Sequence, residues 1–234
     1  MNISVFVTLW VASMSSTDLT NHFMHDPLSL LKSNPDVIDV EFYTLEPAKE
    51  PVHDMDDLPP PTLIVQIDFD SVEKATQLTE SDEFKKLFVD KKAFAKPAEK
   101  INLEILEAVH FDIPGHESPP PRTAPMSFVV RYYGPTRDGG DFVDYYINNH
   151  PQIAAHFPGI RNVLCYLPID WRDRDEVTDD SLVIGNEVVF DDLESFRKAL
   201  ASDVYGEMGA DSKKFEPWGY SSHFAMHREM VYSR

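Results

Sequence analysis

An α+β fold of two tandem βαββαβ units is predicted by three observations: an internal repeat, a matching succession of strand and helix signals in each half, and a proline-rich break between the halves. With a shift of 123 positions, SVFVTLW (Ser4 to Trp10) falls on SFVVRYY (Ser127 to Tyr133). Asp18 then falls on Asp141, Pro35 on Pro158, Val40 on Val163 and Tyr43 on Tyr166. With a shift of 121, Phe69-Asp70 falls on Phe190-Asp191, Glu73 on Glu194 and Ser81-Asp82 on Ser202-Asp203. Two residues lost from one loop reconcile the shifts. Identities are few, but their shared order and spacing indicate an ancient duplication.

Each half opens with a β-rich run, 4–10 and 127–133. A helix follows from Asp18 and from Asp141, where a carboxylate can cap orphan amides. A second strand is expected at 37–45 and 160–167, after a proline break, and a third at 62–69 and 182–190, after a long loop. Then come a helix (71–79; 191–201), a short helical piece (82–89; 203–209) and a final strand (101–109; 221–231). This order is that of a ferredoxin-like unit.

The segment DIPGHESPPPRTAP carries three consecutive prolines, which favour an extended linker. It divides the chain into a divergent first repeat (1–112), a linker (113–124) and a second repeat (125–234). One such unit covers only one face of its sheet with helices. Two in one chain can cover each other, so an intrachain pseudo-dimeric α/β barrel is expected. A monomer or a homodimer follows, since the duplication supplies what a single repeat would obtain by pairing.

The formal charge of −19 excludes nucleic acid and anionic membrane as partners, because such a surface repels phosphate. Cys165 is the single cysteine, so no intrachain disulfide forms and a cytoplasmic location is expected. ISVFVTLWVA resembles a signal-peptide core, but no Lys or Arg precedes it and it is too short to span a bilayer.

Strand alternation assigns faces. Leu63, Val65, Ile67 and Phe69, with Ile184, Val188 and Phe190, form the apolar face that meets the helices. Gln66, Asp68 and Glu187 lie opposite, as do Thr8 and Trp10 on the first strand of one half and Arg131 and Tyr133 on that of the other. The last strand offers His223, Ala225, His227 and Glu229 on one side. These polar groups describe either a wet, ligand-filled interior or strands facing solvent at an open edge.

The stretch DFVDYYINNHPQIAAHFPGIRNV (Asp141 to Val163) reads as an amphipathic helix ending at His150-Pro151, then a Pro-Gly turn and a strand. Its tyrosine-bearing helix, His-Pro and PGIRN resemble the EthD family, as do Phe190-Asp191-Asp192-Leu193-Glu194, Ser202-Asp203, and Asp211 followed by Phe215. The likeness covers most of residues 126–232. It implies a dimeric α/β-barrel fold and cofactor-independent chemistry of the lyase or isomerase kind, acting on a small aromatic, lactone or polyketide-like molecule. It places a catalytic histidine at His150, where the first half has Pro27.

Imidazole exchanges a proton near neutral pH, so His150 suits an acid or base role; alternatively it pins the chain reversal through a loop carbonyl. Tyr145, Tyr146, Arg131, Tyr133, Trp10, Glu187, His227 and Asp211 are the candidate ligand contacts. Arg131 would clamp an enolate or carboxylate, or pair with Glu187, and Trp10 and Tyr133 would stack a ring. No cofactor and no metal is expected: His223 and His227 lie about 13 Å apart along a strand, too far to share an ion. The alternatives are a cofactor-free monooxygenase, a hydrophobic-ligand-binding or stress-related barrel without catalysis, and a barrel with a filled interior. The acidic, proline-rich loops PAKEPVHDMDDLPPP and PIDWRDRDEVTDD would be lids or solvated connections.

Overall fold

The computed structural model describes residues 2–47, 59–92, 94, 97–116, 122–170, 181–215 and 218–234. Most of the three proline-rich segments singled out above, 48–58, 117–121 and 171–180, lies outside the described residues.

The first half contains β1 (Asn2–Trp10), α1 (Ser16–Phe23), α2 (Asp26–Ser33), β2 (Asp39–Leu45), β3 (Leu63–Phe69), α3 (Val72–Glu80), α4 (Asp82–Phe84) with a π-helical turn Lys85–Val89, and β4 (Lys100–Phe111). The second contains β5 (Met126–Tyr133), α5 (Gly139–Ala154), β6 (Ile160–Pro168), β7 (Leu182–Phe190), α6 (Leu193–Leu200), α7 (Asp203–Ser212) and β8 (Tyr220–Ser233). The class is α+β, and hydrogen-bonded strand neighbours run β1-β3-β2 in the first half and β5-β7-β6 in the second. Two compact units divide inside the long strands: Met1–Leu45, Pro59–Glu107 and His227–Arg234 form one, Glu46–Leu58 and Ala108–Met226 the other.

In the first unit β1 and β2 flank β3 antiparallel, with Val5 opposite Ile67 and Val40 opposite the same residue. Ile3, Val5, Val7, Leu9, Leu63, Val65, Ile67 and Phe69 pack with Phe23, Phe84, Phe88 and Phe94 into one core. The other face is polar but internally bonded, as burial requires. The Gln66 amide donates to Ser4 Oγ (3.2 Å) and Asp68 Oδ1 (2.8 Å), and the Tyr43 hydroxyl lies 2.7 Å from Gln66 Oε1 and 2.9 Å from Glu41 Oε2. Arg228 Nη1 donates to Glu41 Oε1 at 2.8 Å.

The second unit repeats this plan. β5 and β6 flank β7, with Val129 and Leu164 both opposite Glu187. Ser127 Oγ donates to Glu187 Oε1 (2.5 Å) and Tyr166 Oη to Oε2 (2.7 Å), while Arg122 approaches at 3.4 Å. Ser127, Tyr166 and Glu187 stand at the repeat positions of Ser4, Tyr43 and Gln66. Each sheet therefore buries the same serine–tyrosine–amide or serine–tyrosine–carboxylate cluster.

Three details of the sequence expectation are corrected. Asp18 and Asp141 do not cap their helices: Ser15 Oγ and Asp138 Oδ1 accept from their backbone amides, and the aspartates sit in the first turn. The helix bearing His150 does not end there. Pro151 withholds the amide that would bond Ile147 O, but Gln152 Nε2 donates to that carbonyl at 3.0 Å and α5 continues to Ala154. In the first unit the corresponding segment is broken, and Pro27 occupies the first turn of α2, where proline is compatible with a helix.

Candidate functional site

The second unit contains a cavity of about 470 Å³ between its helices and the apolar face of its sheet. Val130 and Tyr132 of β5, Asn186 and Val188 of β7, and Ser221 and His223 of β8 form its floor. Tyr146 and His150 of α5, Phe196 and Leu200 of α6, and Tyr205, Met208, Gly209 and Ser212 of α7 form the walls, with Trp218 beside them. Among the described residues, no Lys, Arg, Asp or Glu lines it.

Helical spacing explains how α5 serves this cavity. Phe142, Tyr146 and His150 recur every four residues, so one stripe faces the sheet. The His150 ring packs on Tyr146 (4.8 Å between centroids) and edge-on against Phe215 (4.9 Å). Phe215 also contacts Tyr132, Phe142 and Trp218, so aromatic packing holds the imidazole on several sides.

His150 Nδ1 lies 2.9 Å from Asp211 Oδ2, and the Tyr145 hydroxyl donates to Asp211 Oδ1 at 2.8 Å. Burial favours the neutral imidazole and lowers the His150 pKa below 6.5; the hydrogen bond and charge of Asp211 oppose this without reversing it. For Asp211, burial pushes the pKa up, but hydrogen bonds from His150 and Tyr145 and the nearby Lys214 carry it below 3.8. A carboxylate can only accept, so Nδ1 carries the imidazole hydrogen and Nε2 carries the lone pair. The result is a neutral base oriented by a buried carboxylate. Burial also raises the Tyr146 and Tyr132 hydroxyl pKa values, keeping both as protonated donors.

The sequence-predicted residues divide into two groups. His150 and Tyr146 line the cavity, and Asp211 and Tyr145 stand directly behind the imidazole. Arg131, Tyr133 and Glu187 do not reach it, because alternation turns them away once Val130, Tyr132, Asn186 and Val188 face the helices. Arg131 lies over the Tyr166 ring (5.4 Å), Tyr133 stacks on Tyr220 (4.7 Å), and Glu187 is held in the cluster described above. Trp10 and His227 belong to the first unit. The Trp10 indole donates to Pro59 O at 3.0 Å, and His227 borders a polar hollow of about 190 Å³ beside α1.

Sequence reading assigned His223 to the strand face expected to carry polar interior groups; it faces the helices and lines the cavity instead. Asn186, Ser212, Ser221 and Trp218 were not singled out. The four-residue spacing of Phe142, Tyr146 and His150 is the signal that marks the cavity side. Among the described residues, no group of three His, Cys, Asp or Glu is arranged to hold a metal ion. Nor is any helix long and apolar enough to cross a membrane.

No protein-family model matches the chain, and no curated protein matches it in sequence. Solved structures do. An anthrone oxidase-like protein superposes with a TM-score of 0.61 at 14% identity, covering 98% of this chain and 93% of its own. A protein assigned as a monooxygenase from Fusobacterium nucleatum gives 0.58 at 9% identity (100% and 95% covered), and another from Lactobacillus acidophilus gives 0.51 at 12% (97% and 93%). Identities this low carry the likeness to the α+β fold alone, over nearly the whole length of each chain.

Proposed function

We propose that this protein is a cofactor-independent enzyme that moves a proton on a small, neutral aromatic or polyketide-like molecule, with His150 as general base and then acid. The observation that carries this reading is the Asp211-oriented imidazole on the wall of an otherwise uncharged, aromatic-rich cavity. The resemblance of residues 126–232 to the EthD family supports it. Nε2 would remove a proton from an acidic C–H or phenolic O–H, giving an enolate-like anion. Asn186, Ser212, Ser221, His223 and the tyrosine hydroxyls are the groups available to hydrogen-bond that anion. Arg131 has no part in this step. Return of the proton after bond cleavage, or at another carbon, completes a lyase or isomerase reaction.

A second reading, a cofactor-free monooxygenase, is favoured by the names of the solved structures that share the fold. It begins with the same deprotonation; the carbanion then adds dioxygen and takes up a proton to give a hydroperoxide, whose O–O bond breaks with loss of water to leave a carbonyl, the substrate's own C–H bonds supplying the electrons. The test is to incubate the protein with hydroxylated two- and three-ring aromatics with and without dioxygen and to identify the products. Substitution His150→Ala is expected to lower turnover by about 10² to 10⁴. Unchanged turnover removes His150 from the chemistry, and a requirement for dioxygen selects the second reading.

A further inference from the structure

Gly209 lines the cavity and is exposed on its outer side, so its backbone stands at the cavity mouth. It lies inside α7, where glycine is a poor helix former, and a Cβ added there would meet nothing within 4 Å. Helix propensity thus disfavours a glycine that local packing does not require. The first unit shows what another side chain does at this position.

Ser81-Asp82 and Ser202-Asp203 begin the equivalent helical segments, which puts Phe88 at the position of Gly209, Phe94 at that of Phe215 and Phe23 at that of Tyr146. The surrounding frame is common to both units: Phe23 contacts Phe94 at 6.0 Å and Tyr146 contacts Phe215 at 5.1 Å. Phe88 is fully buried, 5.3 Å from Phe23 and stacked 4.4 Å from Phe84. In one unit a buried phenyl ring lies inside this frame, whereas the other has a cavity of about 470 Å³. Asp90, the counterpart of Asp211, accepts from the Lys92 backbone amide at 2.9 Å.

We infer that Gly209 determines the size of ligand the site accepts, and that Phe88 is the side chain that closes the corresponding site in the first unit. This inference rests on the reading of the cavity as a ligand site, but not on the reaction performed there. A side chain at position 209 occupies the mouth, so accepted ligands shrink as that side chain grows.

The test is fluorescence titration of the full chain with N-phenyl-1-naphthylamine, a neutral bicyclic-plus-phenyl probe, alongside the smaller 1-naphthol. The wild type is expected to bind one N-phenyl-1-naphthylamine per chain. G209A should bind N-phenyl-1-naphthylamine more weakly than the wild type but more tightly than G209F, and melt a few degrees higher, as a glycine removed from a helix interior predicts. G209F should lose at least tenfold in affinity for N-phenyl-1-naphthylamine, with 1-naphthol less affected and the circular dichroism spectrum unchanged. F88A should raise the stoichiometry towards two. Equal affinity of wild type and G209F for both probes overturns the role of Gly209 while leaving the catalytic reading intact. Failure of the wild type to bind either probe overturns both, and loss of binding in G209A to the same extent as in G209F overturns the size argument.

Discussion

His150 Nδ1 and Asp211 Oδ2 meet at 2.9 Å from two different helices, α5 and α7, and both side chains are nearly fully buried. This pairing fixes the tautomer and raises the His150 pKa against the opposing effect of burial. Asp211→Asn removes the charge and leaves burial unopposed, so the imidazole becomes harder to protonate. The acid limb of kcat/KM is expected to lie at lower pH than in the wild type. Loss of one charge-assisted hydrogen bond, about 1.5–3 kcal/mol, predicts a fall in kcat of about tenfold to a hundredfold. Titration of His150 by NMR in both proteins checks the direction, and an acid limb that moves to higher pH contradicts it.

The same residue makes stability depend on pH. In the unfolded chain His150 takes up a proton near pH 6.5, but in the folded protein its pKa is lowered. Between those two values the unfolded state binds the extra proton. The stability contributed by a neutral buried His150 is therefore present above pH 6.5 and lost as pH falls towards the folded value. His150→Gln abolishes this dependence. Urea unfolding at pH 7.5 and 5.5 is expected to show a smaller acid penalty in the variant than in the wild type.

Much of the α+β fold was legible because hydrophobic periodicity is a local property of the sequence. The alternation of Leu63, Val65, Ile67 and Phe69 names the apolar core face of β3 without knowledge of its neighbours. The helix limits were less legible. Pro151 signals a stop, and only the distant end of a neighbouring side chain, Gln152 on Ile147 O, shows why the helix continues. Of the residues chosen for their chemistry, His150 and Tyr146 line the cavity, whereas Arg131 and Glu187 lie on the opposite face of the sheet. His223, Asn186 and Ser221 come together only when β5, β7 and β8 are laid side by side, a relation that no short window of sequence contains.

Arg228 offers a direct measure of what a buried charge needs. It is 5% exposed, Glu41 is 1% exposed, and they are joined at 2.8 Å. Arg228→Ala removes the guanidinium that donates to this buried carboxylate, which is expected to cost about 3–5 kcal/mol. Replacing both partners by apolar residues of similar volume, Arg228→Met with Glu41→Leu, should recover most of that loss. Chemical denaturation of the two proteins decides the matter: a double variant no more stable than R228A would mean that the ion pair is not the source of the cost.

Gly185 and Arg131 face each other in register on the side of the sheet away from the cavity. A Cβ on Gly185 would lie 2.7 Å from Arg131 Nη1 and 3.1 Å from its Cδ, so the guanidinium over Tyr166 must shift. Gly185→Ala is expected to destabilise the protein by about 1–3 kcal/mol through overpacking. In an Arg131→Ala background the same substitution should cost markedly less, since the clashing group is gone; a double-mutant cycle measures that coupling. Ligand affinity at the cavity should stay unchanged in all three variants, because Arg131 projects from the opposite face to Val130 and Tyr132. A loss of affinity in R131A comparable to that in G209F would return Arg131 to the ligand site from which the alternation of β5 excludes it.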